Sequence, residues 1–525
     1  MKKYLLLLSL YLAFNSLLAQ PTNTNISNGF IFDGEPYLAI NPTNNQNIVA
    51  AWMGMKFSNG LFRIAIKTRA SFDGGTNWST VNTLPHFGLG YGSADPSMSF
   101  DNNGNLYLAY IDYKQSPDSG GIYIARSIDG GLNWDTLGKA FDMYDIALKR
   151  PIDRPWLVVD KSLTVNGGTM YITTKPAPWI APPNRPYYKV STDSGQTWTS
   201  IANLDGTGYL VGSSIKGPMA APTTTADGKF CAIYPSYVAT QNILPCFYLA
   251  SSSNQGQNFS YNLVYSALPS AQDTNLKNAY TLHAHPSNPN NMLFIGPIPN
   301  GVDADIVASN STDGGLTWNT PVRVNDDALN NGKHQDMVWA SYNEQGNIAA
   351  VWRDRRNDIA NGFWNVGYDF YYALSTDNGQ TWLANQIMSS QFISFDSLLA
   401  GDGNDFLSAV YSGDTLYTVW GDTRSGSLNI WFAKTIASTN TTVDINILND
   451  SNDMFEVFPN PAKHQLQIKL DQSLISKSIQ CYNFQGQKVY HYDISERLNI
   501  IDVSQWKPGI YFVKIDTKVQ RIVID

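Results

Sequence analysis

Charged residues standing beside proline recur along the middle of the chain. Glu35-Pro36, Asp95-Pro96 and Asp153-Arg-Pro-Trp156 carry them. Gly217-Pro218, Asn278-Ala279, Gln335-Asp336 and Asn404-Asp405 hold corresponding places. Glu35, Asp95 and Asp336, with Asp405 alongside, offer carboxyl groups of the kind that move protons or stabilise a cation at a glycosidic bond. Arg154 adds a planar guanidinium suited to a carboxylate. A second row reads aromatic, any, polar, any, basic: Tyr110-Ile-Asp-Tyr-Lys114, Tyr171-Ile-Thr-Thr-Lys175, Trp352-Arg-Asp-Arg-Arg356 and Trp420-Gly-Asp-Thr-Arg424, with Trp52-Met-Gly-Met-Lys56 as a weaker copy. Lys114, Arg356 and Arg424 could join Arg154 around an acidic substrate. Alternatively, Asp112, Asp354 and Asp422 pair with the basic residues nearby and serve as scaffold. The six histidines show no zinc spacing; His283-Ala-His285 would share one face of a strand, without an identifiable third ligand. Cys231 and Cys246 fall on neighbouring strands, as a disulfide or as two buried thiols.

The elements that must position these residues repeat. An octapeptide recurs six times, about 60 residues apart: Ser71 to Trp78, Ser127 to Trp134, Ser191 to Trp198, Ser252 to Phe259, Ser311 to Trp318 and Ser375 to Trp382. Asp73, Asp129, Asp193, Asp313 and Asp377 hold its third position, and Trp78, Trp134, Trp198, Trp318 and Trp382 its last. The fourth copy has Asn254 and Phe259 instead. Such an Asp accepts backbone N–H bonds, the Gly allows a positive φ, and the Trp covers a hairpin with an apolar face. This is a structural device, although Asp-rich turns also suit calcium; no other cofactor is expected. Each octapeptide sits between the third and fourth of four short strands, and about 60 residues suit four strands with turns. Second strands start near Ile48, Leu106, Met170, Phe230, Met292, Ile348 and Leu416. The expected fold is all-β: a β-propeller of seven blades, alternatively six. The last unit lacks a fourth strand, which residues Ile26 to Phe32 could supply by closing the ring.

Composition narrows the classes. The chain has 525 residues, a net charge of −8, 43% hydrophobic and 13% aromatic residues, and only 15% charged residues. That excludes a disordered chain or a coiled coil and disfavours nucleic acid as partner. Three cysteines cannot form a disulfide framework or a zinc site. Lys2 and Lys3 before the apolar run Tyr4 to Leu18 read as a signal peptide over residues 1–19, too short to span a membrane. No later segment could cross a bilayer as a helix. Residues 20–435 form the repeating body, 436–454 a polar linker, and 455–525 a small β-rich domain of immunoglobulin-like sandwich type.

The tail resembles the C-terminal sorting domain of the type IX secretion system of Bacteroidota, through Val457-Phe-Pro-Asn-Pro461, Tyr482-Asn-Phe-Gln-Gly486 and Pro508-Gly-Ile-Tyr-Phe-Val-Lys514. The resemblance implies export across the outer membrane, with the secretion machinery as partner and the cell surface or medium as destination. The octapeptides resemble the BNR or Asp-box repeats of the sialidase superfamily, over roughly residues 30 to 435. That resemblance implies a secreted propeller that binds or hydrolyses glycans at an axial pocket; the alternative is a non-catalytic propeller that binds a glycan or a protein. The family also carries a Phe/Tyr-Arg-Ile-Pro motif. Here Phe62-Arg-Ile-Ala65 lacks the Pro and lies on a third strand, so the sialidase mechanism, with three Arg and a Tyr nucleophile, does not carry over residue by residue.

Overall fold

Runs rich in β-branched and aromatic residues, bounded by Gly, Asn and Asp, build strands almost everywhere. A computed structural model gives the fold over residues 21–58, 60–114, 119–241, 245–266, 280–359, 367–394, 404–437, 455–471, 474–475, 477–483, 487–516 and 518–525. The expected signal peptide, most of the linker (438–454) and Asn278-Ala279 lie outside the described residues. Ala239–Gln241 forms a short 3-10 turn. The chain divides into two units, Met1–Thr439 and Asn440–Asp525.

The first unit holds seven antiparallel sheets among the described residues. In the first six, strands pair in chain order. The first sheet runs Asp33–Asn41, Asn44–Ser58, Leu61–Ser71 and Asn82–Thr83. The innermost strands of the next five are Tyr91–Phe100, Ile152–Val159, Ala221–Thr224, Thr281–Ala284 and Gln335–Tyr342. The seventh sheet contains Ser408–Ser412, Thr415–Asp422 and Asn429–Ile436, and its fourth strand is Asn23–Asn25 from the other end of the chain. Ring closure therefore comes from the N-terminal segment, a few residues earlier than Ile26 to Phe32. The segment continues the contact: the Ile26 N–H donates to the Ile430 carbonyl at 2.9 Å, and Phe32 bridges Leu428.

Innermost strands touch in a cycle, each against the next, and Ser408–Ser412 returns to Asp33–Asn41. Apolar cores lie between consecutive sheets. Val49 and Ala51 of the first sheet pack with Leu106 and Leu108 of the second. Tyr417 and Val419 of the seventh pack with Ile48 and Trp52 of the first. Every sheet buries both faces against neighbours, which is the physical logic of a β-propeller.

The octapeptides join third to fourth strands. The Ser71 hydroxyl donates to Asp73 Oδ1 at 2.9 Å and accepts the Gly75 N–H at 2.8 Å, while Asp73 Oδ1 also accepts the Asn77 N–H at 2.8 Å. The pattern survives in the altered copy, where Asn254 Oδ1 accepts the Asn258 N–H at 3.0 Å. Hydrogen bonding from Asn77 pulls the Asp73 carboxyl down to about 2. The Gly at the fifth position of the motif has a positive φ and lies against the preceding sheet. A Cβ on Gly131 would stand 2.6 Å from Val49, and one on Gly379 would stand 2.5 Å from Leu293. Trp134 donates from its indole N–H to Thr68 of the preceding sheet at 3.1 Å. The motif is thus a staple between sheets, and its carboxylates are engaged with protein donors.

In the second unit, Phe455–Phe458, Gln465–Leu470 and Leu498–Asp502 form one sheet. Lys488–Asp493, Ser478–Asn483, Gly509–Ile515 and Lys518–Ile524 form the other. Leu466, Ile468, Ile479, Val513 and Ile522 are buried in its core, with Cys481 among them.

Candidate functional site

Four innermost strands carry the same irregularity. Residues 35 and 36 oppose one residue of the neighbouring strand, as do 95 and 96, 154 and 155, and 337 and 338. The first residue of each bulge has a left-handed backbone: φ is 50° at Glu35, 55° at Asp95, 54° at Arg154 and 52° at Met337. That conformation costs a side-chain-bearing residue roughly 1–3 kcal/mol. In three of the four, Pro follows and holds the next φ. A bulge turns one side chain out of the strand's alternation. In the first three sheets that side chain is charged and enters the axis; in the sixth it is Met337, buried in the core.

Glu35, Asp95 and Arg154 meet at the end of the ring opposite the octapeptides. Arg154 donates from Nη2 to Glu35 at 3.4 Å and to Asp405, just before the innermost strand of the seventh sheet, and its guanidinium lies 4.5 Å from the Phe406 ring centroid. Asp153 receives the Lys175 ammonium at 2.5 Å and lies 3.9 Å from Arg154 Nε. Burial, then the negative charge of Glu35 and a shared hydrogen bond with it, push the Asp95 carboxyl up to about 8. Burial also raises Asp153 against the pull of Lys175, and burial lowers Lys175. The cluster thus places a carboxyl that burial and its neighbour bias toward the protonated form beside the buried Glu35.

Beneath these groups lies an aromatic floor. Tyr37 meets Trp339 edge-on with centroids 5.5 Å apart, Trp156 lies 5.6 Å from Trp339, and Phe406 5.8 Å from Trp156. Tyr37, Trp156 and Trp339 line both the narrow cleft under Arg154 and a wider cavity of about 440 Å³ on the octapeptide side, so they partition the axis. Beside the acid cluster a second recess of about 440 Å³ opens between the first three sheets, with Ala94 and Asp153 in its wall.

The structure places the other sequence candidates elsewhere. Asp336 is fully buried and bidentate to Arg353, at 2.6 Å from both Nε and Nη2, with Arg355 Nη2 at 3.3 Å. Arg356 donates to Asp354 at 2.8 Å and Asp326 at 2.6 Å and stacks on Tyr371. Arg424 binds Asp422 at 2.6 Å and reaches Asn23 Oδ1 at 3.2 Å, which ties in the ring-closing strand. These two arginines follow the scaffold pattern, and neither lines the cleft that holds Arg154. In the second sheet Asp112 instead engages His86 and Ser93, and Lys114 lines the recess. In the first sheet Asp33 fills the place over Gly54 and binds Lys67 at 2.8 Å. Cys231 pairs with Ser251 and Cys246 with Ser236, so the two thiols sit far apart along the hairpin, buried and unbonded. His283 Nε2 lies 2.8 Å from Thr281 Oγ1, whereas His285 Nδ1 accepts the Ser287 and Asn288 N–H groups. Among the described residues, no three His, Cys, Asp or Glu are placed to hold a metal ion.

Lys175 belongs to the basic row read from the sequence, whereas Asp153 and the aromatic floor are parts of the cluster that sequence reasoning did not select. The signal was present: in Glu35-Pro-Tyr37, Arg154-Pro-Trp156 and Met337-Val-Trp339, the aromatic follows the bulge residue by two, which puts it on the axial face below.

Residues 456–525 match the family described as the secretion system C-terminal sorting domain. The tail is that sorting domain. It directs the protein through type IX secretion to the cell surface or the extracellular space. A search of curated proteins found no match. Among solved structures, the chain is similar to the Hadza microbial sialidase Hz136 (14% identity, 71% of this chain and 73% of that one, TM-score 0.42). It is similar also to a Dyadobacter fermentans protein of unknown function (14%, 78% and 98%, TM-score 0.40). A third is the Penicillium chrysogenum alpha-L-arabinanase complexed with arabinobiose (13%, 79% and 98%, TM-score 0.43). At this overlap the ring architecture rests on the chain's own strand pairing and sheet contacts. No helix among the described residues is long and apolar enough to cross a membrane.

Proposed function

We propose that residues 20–435 form a seven-bladed Asp-box propeller, joined by a linker (436–454) to an immunoglobulin-like sorting domain (455–525), and that this exported propeller binds glycans at the axial mouth opposite the boxes. The observation that carries the reading is the convergence of Glu35, Asp95 and Arg154. Three consecutive sheets spend the same strained bulge to bring three charged groups over an aromatic floor. Asp95 and Glu35 hold one hydrogen bond between them, Glu35 Oε2 has no partner among the described residues, and the aromatic groups receive the apolar face of a sugar. Recognition of a sialic acid by three arginines is not what this arrangement favours. Arg356 and Arg424 are committed to Asp354 and Asp422, and Arg154 is already balanced by carboxylates.

One observation favours a second reading, hydrolysis. Asp95 holds its proton near neutral pH beside Glu35, as the acid of an acid–base pair does. The two share a hydrogen bond, however, whereas carboxyls that flank a scissile bond stand about 5–10 Å apart. Binding is therefore the better fit. A glycan array probed with the mature chain, beside fluorogenic neutral glycosides and a sialoside, tests both. Glycan binding that Glu35→Gln and Asp95→Asn weaken, without turnover, is expected. Turnover of a glycoside that Asp95→Asn abolishes would establish the second reading. Absence of any glycan binding would overturn the first.

A further inference from the structure

Resting on the glycan-binding reading, we propose that the ligand is a neutral oligosaccharide extending from the axial mouth into the recess between the first three sheets. The recess adjoins the acid cluster through Asp153, which stands in its wall and lies 3.9 Å from Arg154 Nε. Ile64, Ile111 and Tyr113 give it a mainly apolar wall, and Arg63 and Lys114 add donors suited to sugar hydroxyls. At about 440 Å³ it lies within the range of small-molecule sites.

Two large aromatics at its rim face solvent. Trp179 is 73% exposed and Phe62 is 53% exposed, and Phe62 lies 4.9 Å from the Phe57 ring, itself 63% exposed. A patch of exposed aromatic groups beside a concave site marks an interaction surface. Flat apolar faces with few polar groups suit pyranose or furanose rings, which present C–H groups on one face and hydroxyls at their edges.

Charge at the axial mouth decides the class of sugar that enters it. At the axial end four carboxyl groups, Glu35, Asp95, Asp153 and Asp405, stand against two basic groups, Arg154 and Lys175. That balance repels an added carboxylate, and Arg154 already donates to two carboxylates. A neutral chain therefore enters the mouth at lower cost than a sialylated or uronate-capped one.

The test is a binding series on the full mature chain with neutral gluco-, manno- and arabino-oligosaccharides of two to six units, beside uronate-capped and sialylated counterparts. Affinity for one neutral series should rise with length. Trp179→Ala, an exposed change that leaves the core untouched, should flatten that rise and weaken the longest ligand about tenfold. The shortest should bind as in the parent, and Phe62→Ala should act in the same direction. Preference for acidic caps would overturn the inference, as would length dependence that both variants leave unchanged. If short neutral sugars bind and respond to Glu35→Gln while Trp179→Ala does nothing, only the recess assignment falls. If no glycan binds at all, the functional reading falls with it.

Discussion

Replacing Asp95 by Asn tests the electrostatics of the axial cluster in depth. In the unfolded chain this carboxyl titrates near its ordinary 3.8, whereas in the folded ring burial and Glu35 hold it up to about 8. Between those values the folded protein keeps a proton that the unfolded chain has lost. Stability contributed by Asp95 is thus fully present at low pH and lost as pH rises through that window. One proton changes the unfolding free energy by at most about 1.4 kcal/mol per pH unit. The Asn amide can still donate to Glu35 but cannot ionise. Asp153 and Lys175 are present in both proteins, so their titration largely cancels. Urea unfolding of the mature chain, followed by Trp fluorescence at pH 5, 6, 7 and 8, should show the variant gaining on the parent as pH rises. The gain should approach about 1.4 kcal/mol per unit between pH 5 and 7 and level off above 8. Parallel curves across this range would refute the protonated acid.

Three further outcomes follow from the fold. Gly131→Ala, whose Cβ would meet Val49 of the preceding sheet at 2.6 Å, should cost about 1–3 kcal/mol more than Gly208→Ala, which has a similar positive φ and open space around it; thermal melts compare the two. Removing residues 21–26 takes the outer strand from the seventh sheet and a partner from Arg424 and should lower the melting temperature well beyond any single box substitution. Truncation before Glu456 should stop release to the cell surface or medium and leave the protein in the cell, as fractionation would show; export without the tail would contradict the sorting assignment.

Much of the fold was legible because it rests on repetition. The octapeptide fixed the third-to-fourth strand turn six times over, and the second strands begin where their aliphatic runs begin, at Leu106, Met170, Phe230, Met292 and Ile348. The missing fourth strand of the last unit pointed to closure from the N-terminus, and the structure closes with Asn23–Asn25, because pairing register depends on partners distant in sequence. The site was legible in part. Glu35, Asp95 and Arg154 share one local pattern, a charged residue before proline, and one geometry. Arg356 and Arg424 share another pattern, in which the Asp two residues earlier captures the guanidinium; sequence shows both groups but not which partner wins. Asp336 has the spacing of an axial residue, yet Met337 occupies the bulge in that sheet, and the carboxylate turns inward to Arg353. The recess, made by Phe62, Tyr113 and Trp179 from three sheets, has no local signature.

The most direct measurement is the crystal structure of the mature chain grown with the tightest-binding neutral oligosaccharide. Density for a sugar ring over Glu35 and Asp95, with the chain running past Asp153 toward Trp179, is the predicted result. A sugar seated in the octapeptide-side cavity or on the outer edge of the ring, with the axial mouth empty, would contradict it.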